Sequence, residues 1–154
     1  KVNANDIAKI VSHTADCISQ LKKEGVLRST EDIPLAYAKW FCAQHLPIEL
    51  VSDESQQPSY DAHSKFGERI QIIKKLGSET NFSAKFSDVC LKSIDYLLVV
   101  FMEEKNWLIK SIYQISRDTL SDFIYDDQTL IRWCRELRSL SVQVYPVDKN
   151  TLLL

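Results

Sequence analysis

The chain has 154 residues, of which 45% are hydrophobic and 26% are charged, and its net charge is −2. This length allows one compact domain, and the composition is that of a globular protein rather than a disordered one. The near-neutral charge excludes a whole-molecule field that attracts nucleic acid or anionic membrane, although a local basic face stays open. No apolar run is long enough to span a bilayer, and the first residues show no signal-peptide pattern, so we expect no membrane partner.

The four cysteines are scattered along the chain, at Cys17, Cys42, Cys90 and Cys134. They form no CxxC pair, and no histidine stands at zinc-ligand spacing. We therefore expect four reduced, mostly buried thiols in a cytoplasmic protein, rather than disulfides or a metal centre. The chain begins with Lys1 instead of Met, so we expect a fragment or a processed chain, and a missing flanking domain stays open.

The first third of the chain predicts two helices. Asn3 or Asn5 caps the first and Gly25 ends it. Its apolar residues follow i, i+3, i+4 spacing, at Ile7, Ile10, Val11, Ile18 and Leu21. Ser29 or Thr30 begins the second, with Pro34 in its first turn. Residues 35–46 are apolar on nearly every side, which predicts a helix buried between other elements.

The middle of the chain predicts strands. Residues 48–51 form a short strand, and residues 52–59 a polar loop. Residues 60–63 and 68–74 are predicted to be adjacent antiparallel strands, with Gly67 in the turn between them. Residues 76–92 are irregular. Residues 94–102 are apolar on both alternating faces, which predicts a central strand, and residues 107–115 predict a half-buried one.

The end of the chain predicts two helices and an edge strand. Ser116 caps a short helix that runs to about Ile124. A last helix begins at about Asp127 and has one apolar side, formed by Leu130, Trp133, Cys134 and Leu137. Residues 142–147 predict an edge strand, because Pro146 cannot donate to a ladder.

This order of elements predicts an α+β fold in which a mixed or antiparallel central sheet is flanked by helices. We expect a single domain over residues 1–154. Its parts are an N-terminal helix in 1–30, a core in 31–124, and a C-terminal helix and tail in 125–154.

The predicted hairpin carries residues that suit a metal site. Cleaving a phosphodiester with Mg²⁺ requires carboxylate or carbonyl oxygens around the ion and a cation beside the attacking water. If the hairpin folds about Phe66, Asp61 lies opposite Gln71. Side chains two residues apart share a face of a strand, so a lysine two places after Gln71 would join the same site.

The ordered set YDAHSKFGERIQI, FSAKFSDV and IDYLLVVFMEE resembles the PD-(D/E)xK, or restriction-endonuclease-like, nuclease superfamily, and within it a group of small bacterial YDA...QIK domains. The resemblance covers residues 33–124. It implies a restriction-endonuclease-like core with Asp61 as carboxylate ligand of Mg²⁺ and Gln71 in the Glu/Gln position. It also implies a cleavage function, in a restriction or defence system that acts on DNA.

The sequence departs from that family pattern in two places. The family places Lys two residues after the Glu/Gln position, where this chain has Ile73, and Lys74 follows one place late. Lys74 reaches the face of Asp61 and Gln71 only if a bulge absorbs a residue; we expect a regular strand instead. Related domains also carry a helix Glu near positions 35–36. Here Glu31 and Asp32 lie a turn earlier.

Each candidate residue also has an ordinary structural interpretation. Asp61 and Gln71 are compatible with a solvated turn and a surface strand. Lys74 is compatible with a solvated strand end, and an exposed hairpin position accounts for His63.

Three arginines of the predicted last helix, Arg132, Arg135 and Arg138, lie opposite its apolar side. Arg132 and Arg135 are the candidates for phosphate contacts, although a solvated face that pairs with Glu136 is the preferred interpretation. Three functions therefore stay open. The first is Mg²⁺-dependent nuclease activity. The second is a catalytically degenerate nuclease-like domain that binds nucleic acid or a protein partner. The third is a structural subunit whose sheet and helices only support assembly.

Overall fold

The computed structural model describes residues 3–28, 32–52, 60–77, 79, 83–85, 88–125 and 130–147. Its helices are α1 (Ala4–Lys23), α2 (Ile33–His45), α3 (Asp88–Ser93), α4 (Arg117–Ser121) and α5 (Arg135–Leu140). Its strands are β1 (Ile48–Leu50), β2 (Ala62–Ser64), β3 (Arg69–Leu76), β4 (Ser83–Lys85), β5 (Tyr96–Met102), β6 (Ile109–Ser116), β7 (Ile124–Tyr125), β8 (Leu130–Arg132) and β9 (Val142–Tyr145).

The main sheet has six strands in the order β1-β2-β3-β5-β6-β9. Strands β3 and β5 run parallel and the other neighbours are antiparallel, so the sheet is mixed. The predicted α+β class is confirmed, together with the antiparallel β2–β3 hairpin, the internal position of β5 and the edge strand β9. The parallel pair requires a crossover connection, which contains β4 and α3. The prediction that residues 76–92 are irregular is therefore wrong.

The two faces of the main sheet bury separate apolar cores, because successive side chains of a strand point to opposite sides. On the first, here called the α2 face, β3 and β5 pack with α2. The buried side chains there include Ala38, Cys42, Ile70, Ile72, Leu98 and Val100. The second, here called the opposite face, is covered by α4, α5 and the small β4-β8-β7 sheet. Its buried side chains include Leu97, Val99, Phe101, Leu120, Trp133 and Leu137.

The C-terminal prediction needs correction. The expected long helix from Asp127 is a strand, β8, followed by the short helix α5, and residues 126–129 lie outside the described part of the chain. Ile131 and Trp133 are buried while Arg132 between them is exposed, which is the two-residue period of a strand. Cys134 then caps α5, because its Sγ accepts a hydrogen bond from the N–H of Leu137 at 3.5 Å.

The capping predictions have mixed outcomes. Asn3 caps α1, and the Asn3/Asn5 alternative is thereby decided. Asp32 caps α2, while the predicted caps Ser29 and Thr30 lie outside the described residues. Ser116 caps α4 as expected, although that helix ends at Ser121 and not near Ile124.

Helix α1 is unusual because none of its 20 residues is buried by the described part of the chain. Its apolar residues Ile7, Ile10 and Val11 are 47%, 60% and 61% exposed. Ile18 and Leu21 are half-buried. The helix that the sequence predicted is present, but the described residues leave the N-terminal part of its apolar side, at Ile7, Ile10 and Val11, exposed. Within the described residues, no helix combines the length and the apolar character needed to cross a membrane.

Three cysteines are free thiols, which confirms the prediction for Cys17, Cys42 and Cys134. The side chain of Cys90 lies outside the described part. Among the three described thiols only Cys42 is buried, and its burial raises the pKa of the thiol to about 12. Cys17 is exposed and Cys134 half-buried, so the expectation of buried thiols is wrong for these two.

Candidate functional site

The candidate site centres on Asp61, which directly precedes β2. The N–H of Asp61 donates to the carbonyl oxygen of Ile70, the residue that the register places opposite Ala62. Its carboxylate accepts a hydrogen bond from the N–H of Ile72 at 2.8 Å, through Oδ2. Strand β2 does not begin until Ala62, so the carboxylate supplies the acceptor that an earlier start of β2 would have given to β3.

The other carboxylate oxygen of Asp61 pairs with helix α2. Its Oδ1 lies 2.9 Å from the Nζ of Lys39. Lys39 is the one charged residue within the α2 sequence IPLAYAKWFCAQH. Lys39 is not among the residues predicted for the site, and the signal that marks it is a lone charge in an otherwise apolar helix, where a buried or half-buried charge requires a partner.

Lys74 forms a second ion pair with α2. Its Nζ lies 3.6 Å from the Oδ2 of Asp32, whose Oδ1 accepts from the N–H of Leu35 at the start of the helix. Asp32 and Lys39 are seven residues apart, so the two ion pairs lie on one side of α2 and about 10 Å apart along its axis. Asp61 and Lys74 therefore both contact α2.

Strand β3 is regular through the candidate motif. Residues from Ile70 to Leu76 pair in continuous register with Tyr96 to Met102, with no bulge near Ile72 or Ile73. The expectation of a regular strand is confirmed. Because side chains alternate, Lys74 lies on the α2 face together with Ile72, whereas Ile73 packs on the opposite face.

Gln71 shares the opposite face with Ile73. Its Oε1 atom is buried and has no hydrogen-bond partner among the described residues. The described contacts do not bring Asp61 and Gln71 together, since Asp61 contacts α2. The regular strand separates Gln71 from Asp61, and it leaves Lys74 on the side where Asp61 lies.

The described contacts leave no ready set of protein oxygen ligands for a Mg²⁺ ion. Mg²⁺ requires octahedral oxygen ligands at about 2.1 Å from one centre. Both oxygens of Asp61 are engaged, Gln71 points to the other face, and Asp32 caps α2 about two turns away. Within the described residues, no three His, Cys, Asp or Glu side chains group closely enough to hold a metal ion. Glu31 lies outside the described part.

A further acid of the motif region, Asp95, holds the start of β3. Its Oδ2 accepts from the N–H of Arg69 at 2.8 Å and from the Nε of Arg69 at 3.3 Å. The N–H of Asp95 in turn donates to the carbonyl of Arg69. The backbone hydrogen bond, followed by the side-chain bond and the charge of Arg69, lowers the pKa of Asp95 below its ordinary value. Asp95 therefore fixes β3 against β5.

The three arginines of the predicted last helix do not form one sector. Arg132 lies on β8 and Arg135 begins α5, and both are exposed. Arg138 instead donates from Nε to the hydroxyl of Tyr113 at 3.1 Å and pairs with Glu79 at 3.5 Å. The expected common face is wrong because the chain is a strand up to Arg132. His63, the other candidate, is half-buried and lies 3.9 Å from Glu49 of β1.

No protein-family model matches this chain, and no curated protein matches it.

Proposed function

We propose that this chain is a restriction-endonuclease-like domain that has lost metal-dependent cleavage and acts in protein–protein assembly. The observation that carries this proposal is the full engagement of Asp61. One carboxylate oxygen pairs with Lys39 at 2.9 Å and the other accepts from the N–H of Ile72 at 2.8 Å. Asp61 in this arrangement joins β2, β3 and α2 and acts as a structural residue.

Binding Mg²⁺ through Asp61 requires breaking at least one of these two interactions. The bond to the Ile72 N–H is charge-assisted, and removing its acceptor leaves a half-buried backbone donor unpaired. The ammonium of Lys39 competes for the other oxygen at the short distance of 2.9 Å. A second oxygen ligand must then come from a residue other than Gln71, since that side chain faces the other core.

The assembly part of the proposal rests on α1. Globular domains bury the apolar side of an amphipathic helix, yet the described residues leave Ile7, Ile10 and Val11 about half or more exposed. A contiguous exposed apolar surface of this kind is typical of a protein–protein interface. The free thiols of Cys17, Cys42 and Cys134 support a cytoplasmic location for it.

A second candidate function is Mg²⁺-dependent cleavage of DNA, and one observation favours it. Lys74 lies on the α2 face, where Asp61 also contacts α2. A cation beside a carboxylate is what a metal-activated water requires. This candidate needs Asp61 to exchange Lys39 for the metal ion.

A cleavage assay separates the two candidates. Supercoiled plasmid, single-stranded DNA and RNA are incubated with the wild type in Mg²⁺ and in Mn²⁺, alongside Asp61→Ala, Lys74→Ala and the matched control Lys105→Ala in the exposed β5–β6 turn. We expect no cleavage above the level of Asp61→Ala. Isothermal titration with either ion should give no heat that depends on Asp61.

Cleavage that Asp61→Ala and Lys74→Ala abolish, and Lys105→Ala preserves, overturns the proposal and establishes the nuclease. A removed electrostatic contact of this kind costs about 10²–10³ in rate, so the difference is easily measured.

A further inference from the structure

The apolar stripe of α1 consists of Ile7, Ile10, Val11, Thr14, Cys17, Ile18 and Leu21. At 100° per residue these seven side chains fall within a sector of about 120°, along a helix about 30 Å long. None of them is fully buried by the described part of the chain: five are exposed, and Ile18 and Leu21 are half-buried. The polar side of the helix, with Lys9 and Ser12, faces away from the stripe.

The apolar positions of the stripe are arranged symmetrically about Thr14. Counting outward from Thr14, the apolar positions three, four and seven residues away occur on both sides. Ile10 thereby matches Ile18, and Ile7 matches Leu21. A two-fold symmetric contact needs this property, because the same patch must complement its own reversed copy. When a second α1 packs antiparallel with Thr14 opposite Thr14, each apolar side chain of one helix lies at the same level along the axis as an apolar side chain of the other.

The charges of α1 favour the same orientation. The first turn carries Asp6, and the last turn carries Lys22 and Lys23. With the capping residue Glu24 included, the last turn stays positive. An antiparallel pair brings the acidic end of one helix alongside the basic end of its partner and aligns the two helix dipoles favourably. A parallel pair brings like charges together at both ends.

We propose that α1 pairs with α1 of a second copy of this chain, antiparallel and with Thr14 on the two-fold axis. This inference rests on the assembly function proposed above and names its partner. A single pair of 20-residue helices is smaller than the standard interface of about 1,600 Å², so the dimer is weak, with a Kd on the order of micromolar.

Disulfide trapping of the full chain tests the pairing and its direction. Ile7→Cys and Leu21→Cys are each made together with Cys17→Ser, one with a size tag. Positions 7 and 21 are about 21 Å apart along the helix, so neither variant can cross-link to itself in an antiparallel pair. In an equal mixture of the two variants, an antiparallel pair places the cysteine at position 7 of one chain next to the cysteine at position 21 of the other.

We expect mild oxidation to give dimers of mixed size from the mixture and none from either variant alone. Thr14→Cys with Cys17→Ser should cross-link to itself. Ser12→Cys with Cys17→Ser, on the polar side, is the matched control and should stay monomeric. Self-linking of Ile7→Cys and Leu21→Cys separately establishes a parallel pair and overturns the proposed geometry.

Sedimentation equilibrium from about 1 μM to 1 mM measures the affinity without any cross-link. Ile10→Asp places a charge in the stripe and should weaken dimerisation by about 100-fold or more, whereas Ser12→Asp should leave it unchanged. Because α1 lies outside both cores, the melting temperature of the rest of the domain should not change.

A wild type that stays monomeric over the whole range overturns the second copy as partner. That result is distinct from failure of the proposed function, which is signalled by cleavage that depends on Asp61.

Discussion

Replacing Asp61 with alanine distinguishes a structural aspartate from a metal ligand. The change removes the acceptor of the Ile72 N–H, and a hydrogen bond to a charged group contributes about 1.5–3 kcal/mol. It also removes the ion pair with Lys39. The two side chains are 22% and 31% exposed, so solvent screens this pair and it adds at most about 1 kcal/mol. We expect Asp61→Ala to lower the free energy of unfolding by about 1.5–4 kcal/mol, or roughly 3–16 °C in melting temperature.

Urea unfolding of the wild type and its variants measures this loss. Asp61→Asn is the matched variant, because its amide oxygen still accepts from Ile72 while the ion pair is lost; it should cost about 1 kcal/mol or less. The double-mutant cycle with Lys39→Met isolates the pair. Ligands of catalytic metal sites are commonly unfavourable for stability. A variant Asp61→Ala as stable as the wild type, or more stable, therefore refutes the structural role.

Three further predictions concern the rest of the chain. Because the pKa of Asp95 is lowered in the folded protein, the stabilisation that Asp95 provides is complete above the ordinary aspartate pKa of about 3.9. It is lost as the pH falls through the pKa of Asp95 in the folded state. Acid titration below about pH 4 should thus destabilise the wild type more than Asp95→Asn. Replacing Arg132 and Arg135 with Gln should change the free energy of unfolding by less than about 0.5 kcal/mol. Arg138→Met breaks the contact with Tyr113 and should cost about 1 kcal/mol, and thermal melting measures both changes. Titration of the denatured chain without reductant should count four thiols, and a stable shortfall of two or four refutes the reduced state.

Local patterns predicted much of the sheet. The alternation in residues 68–74 and the two-sided apolar character of 94–102 depend only on neighbouring residues, and both became strands in the expected positions. The spacing of residues 130–137 is compatible with a helix and with a strand, so pattern alone did not decide between them. Contacts with Trp133 and Ile131 in the core decide for the strand.

The site was less predictable because it depends on residues distant in sequence. A regular hairpin places Asp61 opposite Gln71, but the N–H of Asp61 bonds to Ile70 and its carboxylate turns to Lys39 on α2. The local sequence predicts neither that β2 begins only after Asp61 nor where α2 packs. The regular alternation of side chains along β3, in contrast, was predicted from the sequence. It places Gln71 and Lys74 on opposite faces of the sheet.

The geometry of β3 also decides where a lysine at position 73 would act. The nuclease family that the sequence resembles carries its lysine at the equivalent of position 73, so Ile73→Lys is the natural attempt at gaining cleavage. In this sheet Ile73 packs on the opposite face, beside the core of Val99 and Phe101, while Asp61 contacts α2. The ammonium of the introduced lysine would turn out of this apolar site into solvent, and it would not approach Asp61. We therefore expect Ile73→Lys to remain inactive on DNA in Mg²⁺ or Mn²⁺ and to lose about 1–3 kcal/mol of stability. Cleavage gained by this variant without loss of stability would show that position 73 and Asp61 share a face, which contradicts the register of β3.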